Sequence, residues 1–142
     1  MKILANDVIP VSQPLIDKYQ IKVTSQDEIF RNSDFVDLHV PLTKETTYLV
    51  NYDKLCMMKK SGFIINTSRG KVVNENDLLR ALNEGKISGA ALDVFEIEPP
   101  NKGELLKNDK IILTPHIAGQ TEESQTEAGR QVVELVIQNL GV

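Results

Sequence analysis

Phe63-Ile64-Ile65-Asn66, then Asn74-Glu75-Asn76-Asp77-Leu78-Leu79-Arg80-Ala81-Leu82-Asn83-Glu84-Gly85, then Ala90-Ala91-Leu92 is the stretch that decides the fold. Its outer pieces are short apolar runs bounded by polar residues or glycine, the pattern of strands buried on both faces. Between them lies a helix with its punctuation in place. Asn74 is suited to cap its start, acids fill the first turn, and Gly85 stands where a left-handed residue ends a helix. Strand, helix and strand within about 30 residues make a parallel β-α-β unit.

The same alternation continues in both directions. Apolar runs at residues 3–5, 21–23, 35–40 and 111–113 read as further strands, and residues 13–19, 26–32, 53–58 and 122–139 carry helical spacing. The expected fold is therefore α/β, a doubly wound parallel sheet with helices on both faces. Right-handed crossovers would bring every strand's C-terminal end to one edge of the sheet. Ligands bind along that edge in such folds.

Length and composition narrow the class. At 142 residues, 41% hydrophobic and 25% charged, the chain is sized for one domain with a real core. A net charge of −4 offers no basic surface, so no nucleic-acid partner is expected. Cys56, in the apolar setting Leu55-Cys56-Met57-Met58, reads as a buried structural thiol, and one cysteine excludes an internal disulfide framework. Neither a signal-like N-terminus nor a membrane-length apolar run is present, so a cytoplasmic protein without a membrane partner is expected. No metal is expected.

Three residues at the ends of separate strands could carry chemistry. Arg69, in Thr67-Ser68-Arg69-Gly70, has the forked donor geometry that grips a carboxylate, with Gly70 permitting the tight turn. His116, in Thr114-Pro115-His116-Ile117-Ala118-Gly119, has an imidazole suited to proton transfer near neutrality. Asp7, closing the first strand, could accept from both hydroxyls of an adenosine ribose and would repel a 2′-phosphate. Taken singly, each has an ordinary reading as a surface arginine, an idle histidine or a solvated aspartate. His39, in an apolar strand context, reads as a satisfied structural histidine, and Pro41 must turn the chain away from the sheet.

Taken together, Asp34 to Leu42, Asn66 to Gly70, Leu92 to Pro99 and Thr114 to Gly119 resemble, in order, spacing and wording, the nucleotide-binding domain of NAD-dependent D-2-hydroxyacid dehydrogenases. The resemblance, closest in general look to D-3-phosphoglycerate dehydrogenases, implies a Rossmann-like fold, NAD as cofactor and a small 2-hydroxy or 2-oxo acid as substrate. It implies that Arg69 binds the substrate's carboxylate and carbonyl, and that His116 moves the proton. Glu98 becomes the catalytic acid paired with His116, with Glu96 as the competing candidate. Asp93 is implied to accept from the nicotinamide carboxamide, and Val40 and Pro41 to cover the adenine. Thr67, Ser68, Ala118 and Gly119 are implied to line the cofactor, and Asp7 to hold its ribose. D-3-phosphoglycerate is the first expected substrate, with hydroxypyruvate or glyoxylate next.

Two features depart from that family. No Gly-x-Gly-x-x-Gly turn precedes Asp7, and nothing corresponds to a separate substrate domain. Residues 1–142 are thus expected to form a partial nucleotide-binding domain, truncated at its N-terminus, that lacks the first and central strand of the doubly wound order. The strands at 3–5 and 35–40 would then present open edges, through which the chain is expected to self-associate or repack. A non-catalytic dinucleotide-binding module, like the corepressors that resemble this family, and a non-functional fragment are the alternatives. The joint presence of Arg69, Glu98 and His116 speaks against the first of these.

Overall fold

The computed structural model describes residues 1–101 and 103–141. In chain order these form β1 (Ile3–Ala5), α1 (Gln13–Tyr19), β2 (Ile21–Val23), α2 (Gln26–Asn32), β3 (Phe35–Leu38), α3 (Tyr52–Met57) and β4 (Phe63–Asn66). A 3₁₀ turn (Gly70–Val72), α4 (Glu75–Asn83), β5 (Gly89–Leu92), α5 (Gly103–Leu106), β6 (Ile111–Leu113) and α6 (Glu122–Leu140) follow. Every strand pairing is parallel. β1 pairs with β2, and β3-β4-β5-β6 form a separate four-stranded sheet.

The central unit folds as its sequence requires. Asn74 Oδ1 accepts from the amides of Asn76 and Asp77, both at 3.1 Å, which satisfies donors that a helix N-terminus leaves open. Gly85 ends the helix at φ 66°, a conformation that penalises a side chain. Leu78, Ala81 and Leu82 of α4 are fully buried, and they join Val36, Leu38, Ile64, Ala90 and Leu92 of the sheet in one apolar cluster. Phe30 of α2, Leu55 of α3 and Leu105 of α5 complete it.

Helices cover only one face of the four-stranded sheet, which corrects the expectation of helices on both. The cause is topological. The order β3-β4-β5-β6 advances in one direction, so right-handed crossovers set α3, α4 and α5 on the same side. On the opposite face Phe35 is 63% exposed and Ile112 71%, and the rings of Phe35 and Phe63 stack with centroids 5.4 Å apart. The helix α6 buries none of its residues, leaving Val132, Leu135 and Leu140 exposed.

The expected open edges are present. Among the described residues, β1 is paired only to β2 and β3 only to β4. The two groups run in the sense of the two flanks of the order 3-2-1-4-5-6.

Other differences are local. The strand read at 35–40 stops at Leu38, because its register partner in β4 ends at Asn66. His39 lies outside the strand and is exposed, with Nε2 3.0 Å from Asp37 Oδ2 as its partner. Cys56 is exposed, not buried, because Leu55 and Met58 take the inward face of that turn. The helix read at 53–58 spans Tyr52–Met57, and α5 and the 3₁₀ turn are too short to show a period.

Core and bare surface should respond differently to truncation. Leu78→Ala is expected to cost about 2–5 kcal/mol in equilibrium urea unfolding. Leu135→Ala, on a residue 57% exposed, should stay within about 0.5 kcal/mol.

Candidate active site

The register aligns the strand ends. Leu38 stands opposite Asn66, Asn66 opposite Leu92, and Leu92 opposite Leu113, so the loops that follow β3 to β6 leave the sheet at one level. Arg69, Asp93, Glu98 and His116 all lie on these loops.

After β4, the loop is held by Asn66, which is fully buried. Its Nδ2 donates to the Arg69 carbonyl at 3.0 Å, and its Oδ1 accepts from the Ser68 amide at 3.1 Å and the Ser68 hydroxyl at 2.8 Å. Arg69 itself is exposed, with Nη1 donating to the Ser68 carbonyl at 2.6 Å. Gly70 is required for a reason other than a tight turn. A Cβ there would lie 1.9 Å from the Phe95 carbonyl oxygen, so glycine lets the β4 and β5 loops touch backbone to backbone.

After β5, Asp93 is 4% exposed and its carboxylate is occupied. Oδ1 accepts from the Thr114 hydroxyl and the Ile117 amide (2.9 Å), and Oδ2 from the Ala118 amide (2.9 Å). The side chain expected to meet nicotinamide thus fastens the β6 loop, and these bonds leave acceptor capacity chiefly at Oδ2. Burial alone would raise the pKa of Asp93, but the Thr114 hydroxyl, the Ala118 and Ile117 amides and the nearby His116 outweigh it, and the net shift is downward.

That fastening presents His116, which adopts a left-handed φ of 56°. Its Nδ1 lies 2.8 Å from Glu98 Oε2, while Glu98 Oε1 accepts from the Phe95 amide at 3.1 Å. The bond to His116, then the one to Phe95, holds the Glu98 carboxyl below its ordinary value. Glu96, the competing candidate, is engaged elsewhere. It accepts from the Glu75 amide at 2.8 Å and its own amide donates to Glu75 Oε1 at 2.7 Å.

The structure thus gathers Asp93, Glu98, His116 and Ala118 directly, and ties the Arg69 loop to them through the Asp93 amide, which donates to the Asn66 carbonyl at 3.0 Å. Asp7, Val40 and Pro41 stand apart from this group. Asp7 Oδ1 accepts from the Ile9 amide beyond β1, Val40 packs against the core, and the Pro41 carbonyl accepts from the Thr46 hydroxyl at 2.6 Å. Thr67 and Gly119 are exposed. Asn66 and Thr114 escaped the sequence reading. An asparagine closing an apolar strand was the available signal, since a buried polar group must find partners.

Polar groups of the kind a dinucleotide would meet stand at two places: the Asp7 carboxylate lies beyond β1, and the Thr67 and Ser68 hydroxyls with Asp93 lie at the β4–β5 end, where the Ser68 hydroxyl and the Asp93 carboxylate already have partners within the chain. A Gly-x-Gly-x-x-Gly cradle for the pyrophosphate does not occur in the 142 residues. Among the described residues no three His, Cys, Asp or Glu side chains are grouped to hold a metal, and no helix is long and apolar enough to cross a membrane.

Glu98 sets a pH dependence. A carboxyl whose folded value is depressed contributes stability above its ordinary value of 4.5, and that contribution is lost as the pH falls through the lower folded value. Thermal melts of the native chain should therefore drop on acidification below about pH 4.5. Glu98→Gln should shrink the part of that drop that belongs to this pair, and an unchanged acid limb would show that the pair contributes nothing.

Residues 1–118 match the family described as D-isomer specific 2-hydroxyacid dehydrogenase, NAD binding domain. The chain is 38% identical over 145 aligned positions to a hydroxypyruvate reductase of Thermotoga maritima, covering all of this chain and 46% of that protein. It is 46% identical over 110 positions to a D-3-phosphoglycerate dehydrogenase of Methanocaldococcus jannaschii, covering 78% of this chain and 21% of that one. Among solved structures, the D-mandelate dehydrogenase of Rhodotorula graminis superimposes with a TM-score of 0.86 at 35% identity, over 92% of this chain and 38% of that chain. The chain therefore spans less than half the length of these relatives. With its parallel sheet and strand-end loops arranged as described, this chain belongs to the D-isomer specific 2-hydroxyacid dehydrogenase family, matching its NAD-binding domain.

Proposed function

We propose that this chain carries the proton-transfer and carboxylate-binding part of an NAD-dependent oxidoreductase that interconverts a D-2-hydroxy acid and its 2-oxo acid. The observation that carries this reading is the 2.8 Å contact between His116 Nδ1 and Glu98 Oε2 on loops that leave the sheet beside the Arg69 loop. With Nδ1 engaged, Nε2 is the nitrogen left to exchange a proton with the substrate oxygen. Glu98 fixes the ring and stabilises the imidazolium that forms when the hydroxyl proton is taken. Arg69 supplies a fork for the substrate carboxylate, which fixes the reacting carbon between that arginine and the imidazole. The cofactor, when bound, accepts or returns the hydride. Asp7 selects NAD over NADP by accepting from the ribose hydroxyls and repelling a 2′-phosphate, and Val8 in place of a following arginine agrees with this.

In this reading residues 1–142 are a partial NAD-binding domain, and the substrate-specific contacts lie in the portion of the relatives that this chain does not span. D-3-phosphoglycerate remains the first candidate substrate, with hydroxypyruvate and glyoxylate tested beside it. The open edges of β1 and β3 favour self-association, because unpaired strands recruit other chains. Sedimentation of the chain should then show dimers or larger species. A monodisperse monomer with one cooperative melt would contradict that part.

The catalytic part is tested in a chimera in which this chain replaces the matching segment of the Thermotoga maritima hydroxypyruvate reductase. His116→Ala is expected to lower kcat for reduction of a 2-oxo acid by roughly 10²–10⁴-fold. Arg69→Gln should raise KM for the acid while leaving NADH affinity nearly unchanged. Wild-type activity in both variants would sink the assignment.

A further inference from the structure

We infer that Asn66 is a positioning residue whose side chain sets the conformation of the Arg69 loop, an inference that takes its functional meaning from the role proposed for Arg69. The sheet itself gives no reason for a polar residue here. Asn66 stands between Leu38 and Leu92 in register, all three are buried, and the strand that it closes is otherwise Phe-Ile-Ile. A leucine would extend the same apolar row and add to the core. The amide instead sends its hydrogen bonds into the loop, from Nδ2 to the Arg69 carbonyl and to Oδ1 from the Ser68 amide and hydroxyl. These bonds close the chain from residue 66 to residue 69 into a fixed loop. Arg69 then leaves it in an extended conformation (φ −144°, ψ 139°).

The same residue joins the two halves of the site. Its carbonyl accepts from the Asp93 amide at 3.0 Å, and the Asp93 carboxylate holds the Ile117 and Ala118 amides next to His116. The missing Cβ of Gly70 lets the Phe95 backbone close over this loop from the other side. Arg69 is thereby held from below by a buried amide and beside by the β5 loop. A loop already ordered forfeits less backbone freedom when its arginine takes a carboxylate, so removing the clamp should weaken binding by roughly tenfold.

The test uses the ¹⁵N-labelled chain with two readouts, backbone and arginine Nε relaxation at Ser68 and Arg69, and titration with oxamate as a 2-oxo-acid mimic. Asn66→Leu is expected to keep the melting temperature near or above that of the native chain. Ser68 and Arg69 should nevertheless become mobile on the ps–ns timescale, and oxamate affinity should fall about tenfold. A loop as ordered in Asn66→Leu as in the native chain overturns the inference. So does unchanged oxamate affinity in Asn66→Leu when Arg69→Gln abolishes binding. If Arg69→Gln leaves oxamate binding intact, the role proposed for Arg69 fails, while loop order still decides the role of Asn66. Should Asn66→Leu fail to fold, Ser68→Ala removes one bond of the clamp without touching the core. It is expected to loosen the loop partially, and an unaltered loop would again overturn the inference.

Discussion

A buried carboxylate organises this molecule's working edge. Asp93 sits at the end of an interior strand, almost out of contact with water, where an ion without partners would be costly. It is tolerated because the β6 loop folds back and supplies donors from Thr114, Ile117 and Ala118. The dependence runs both ways. The donors keep the carboxylate ionised, and the carboxylate keeps a loop of otherwise exposed residues in one conformation. His116 lies inside that loop, so its meeting with Glu98 follows from the Asp93 contacts.

Topology explains why the chemistry collects where it does. A parallel sheet built by right-handed crossovers has its strand ends on one edge and its connecting helices on one side as long as the order advances in one direction. The helices α2 to α5 and their buried apolar residues therefore act as a foundation, and the loops above them are free to carry polar residues. The cost shows on the opposite face, where the Phe35–Phe63 stack and Ile112 remain uncovered, and at the edges of β1 and β3. A doubly wound sheet needs a strand at its switch point to turn the winding around and cover that face. Where the winding does not reverse, the apolar surface stays bare.

Much of this was legible in the residues. Strand and helix positions followed from short apolar runs and from caps such as Asn74 and Gly85, because those devices act locally. The partnership of Glu98 with His116 was legible only through likeness to a family, since eighteen positions separate the two and no local rule pairs them. Three things were not legible. Cys56 looked buried from its neighbours, but which side of a two-turn helix faces inward depends on tertiary packing. Gly70 looked like a turn residue, yet its purpose is contact with a carbonyl twenty-five positions away. Asp93 looked like a cofactor ligand, and only the fold shows how much of its carboxylate is already spoken for by backbone amides.

The claim that Asp93 holds the β6 loop is tested most directly by amide hydrogen exchange at Ile117 and Ala118. Both residues are exposed, yet their N–H groups donate to a buried carboxylate. Slow exchange at both amides in the native chain, lost together in Asp93→Ala while the amides of β4 and β5 stay protected, is the predicted result. Exchange at the rate of an open loop in the native chain would contradict it, and His116 would then need some other means of reaching Glu98.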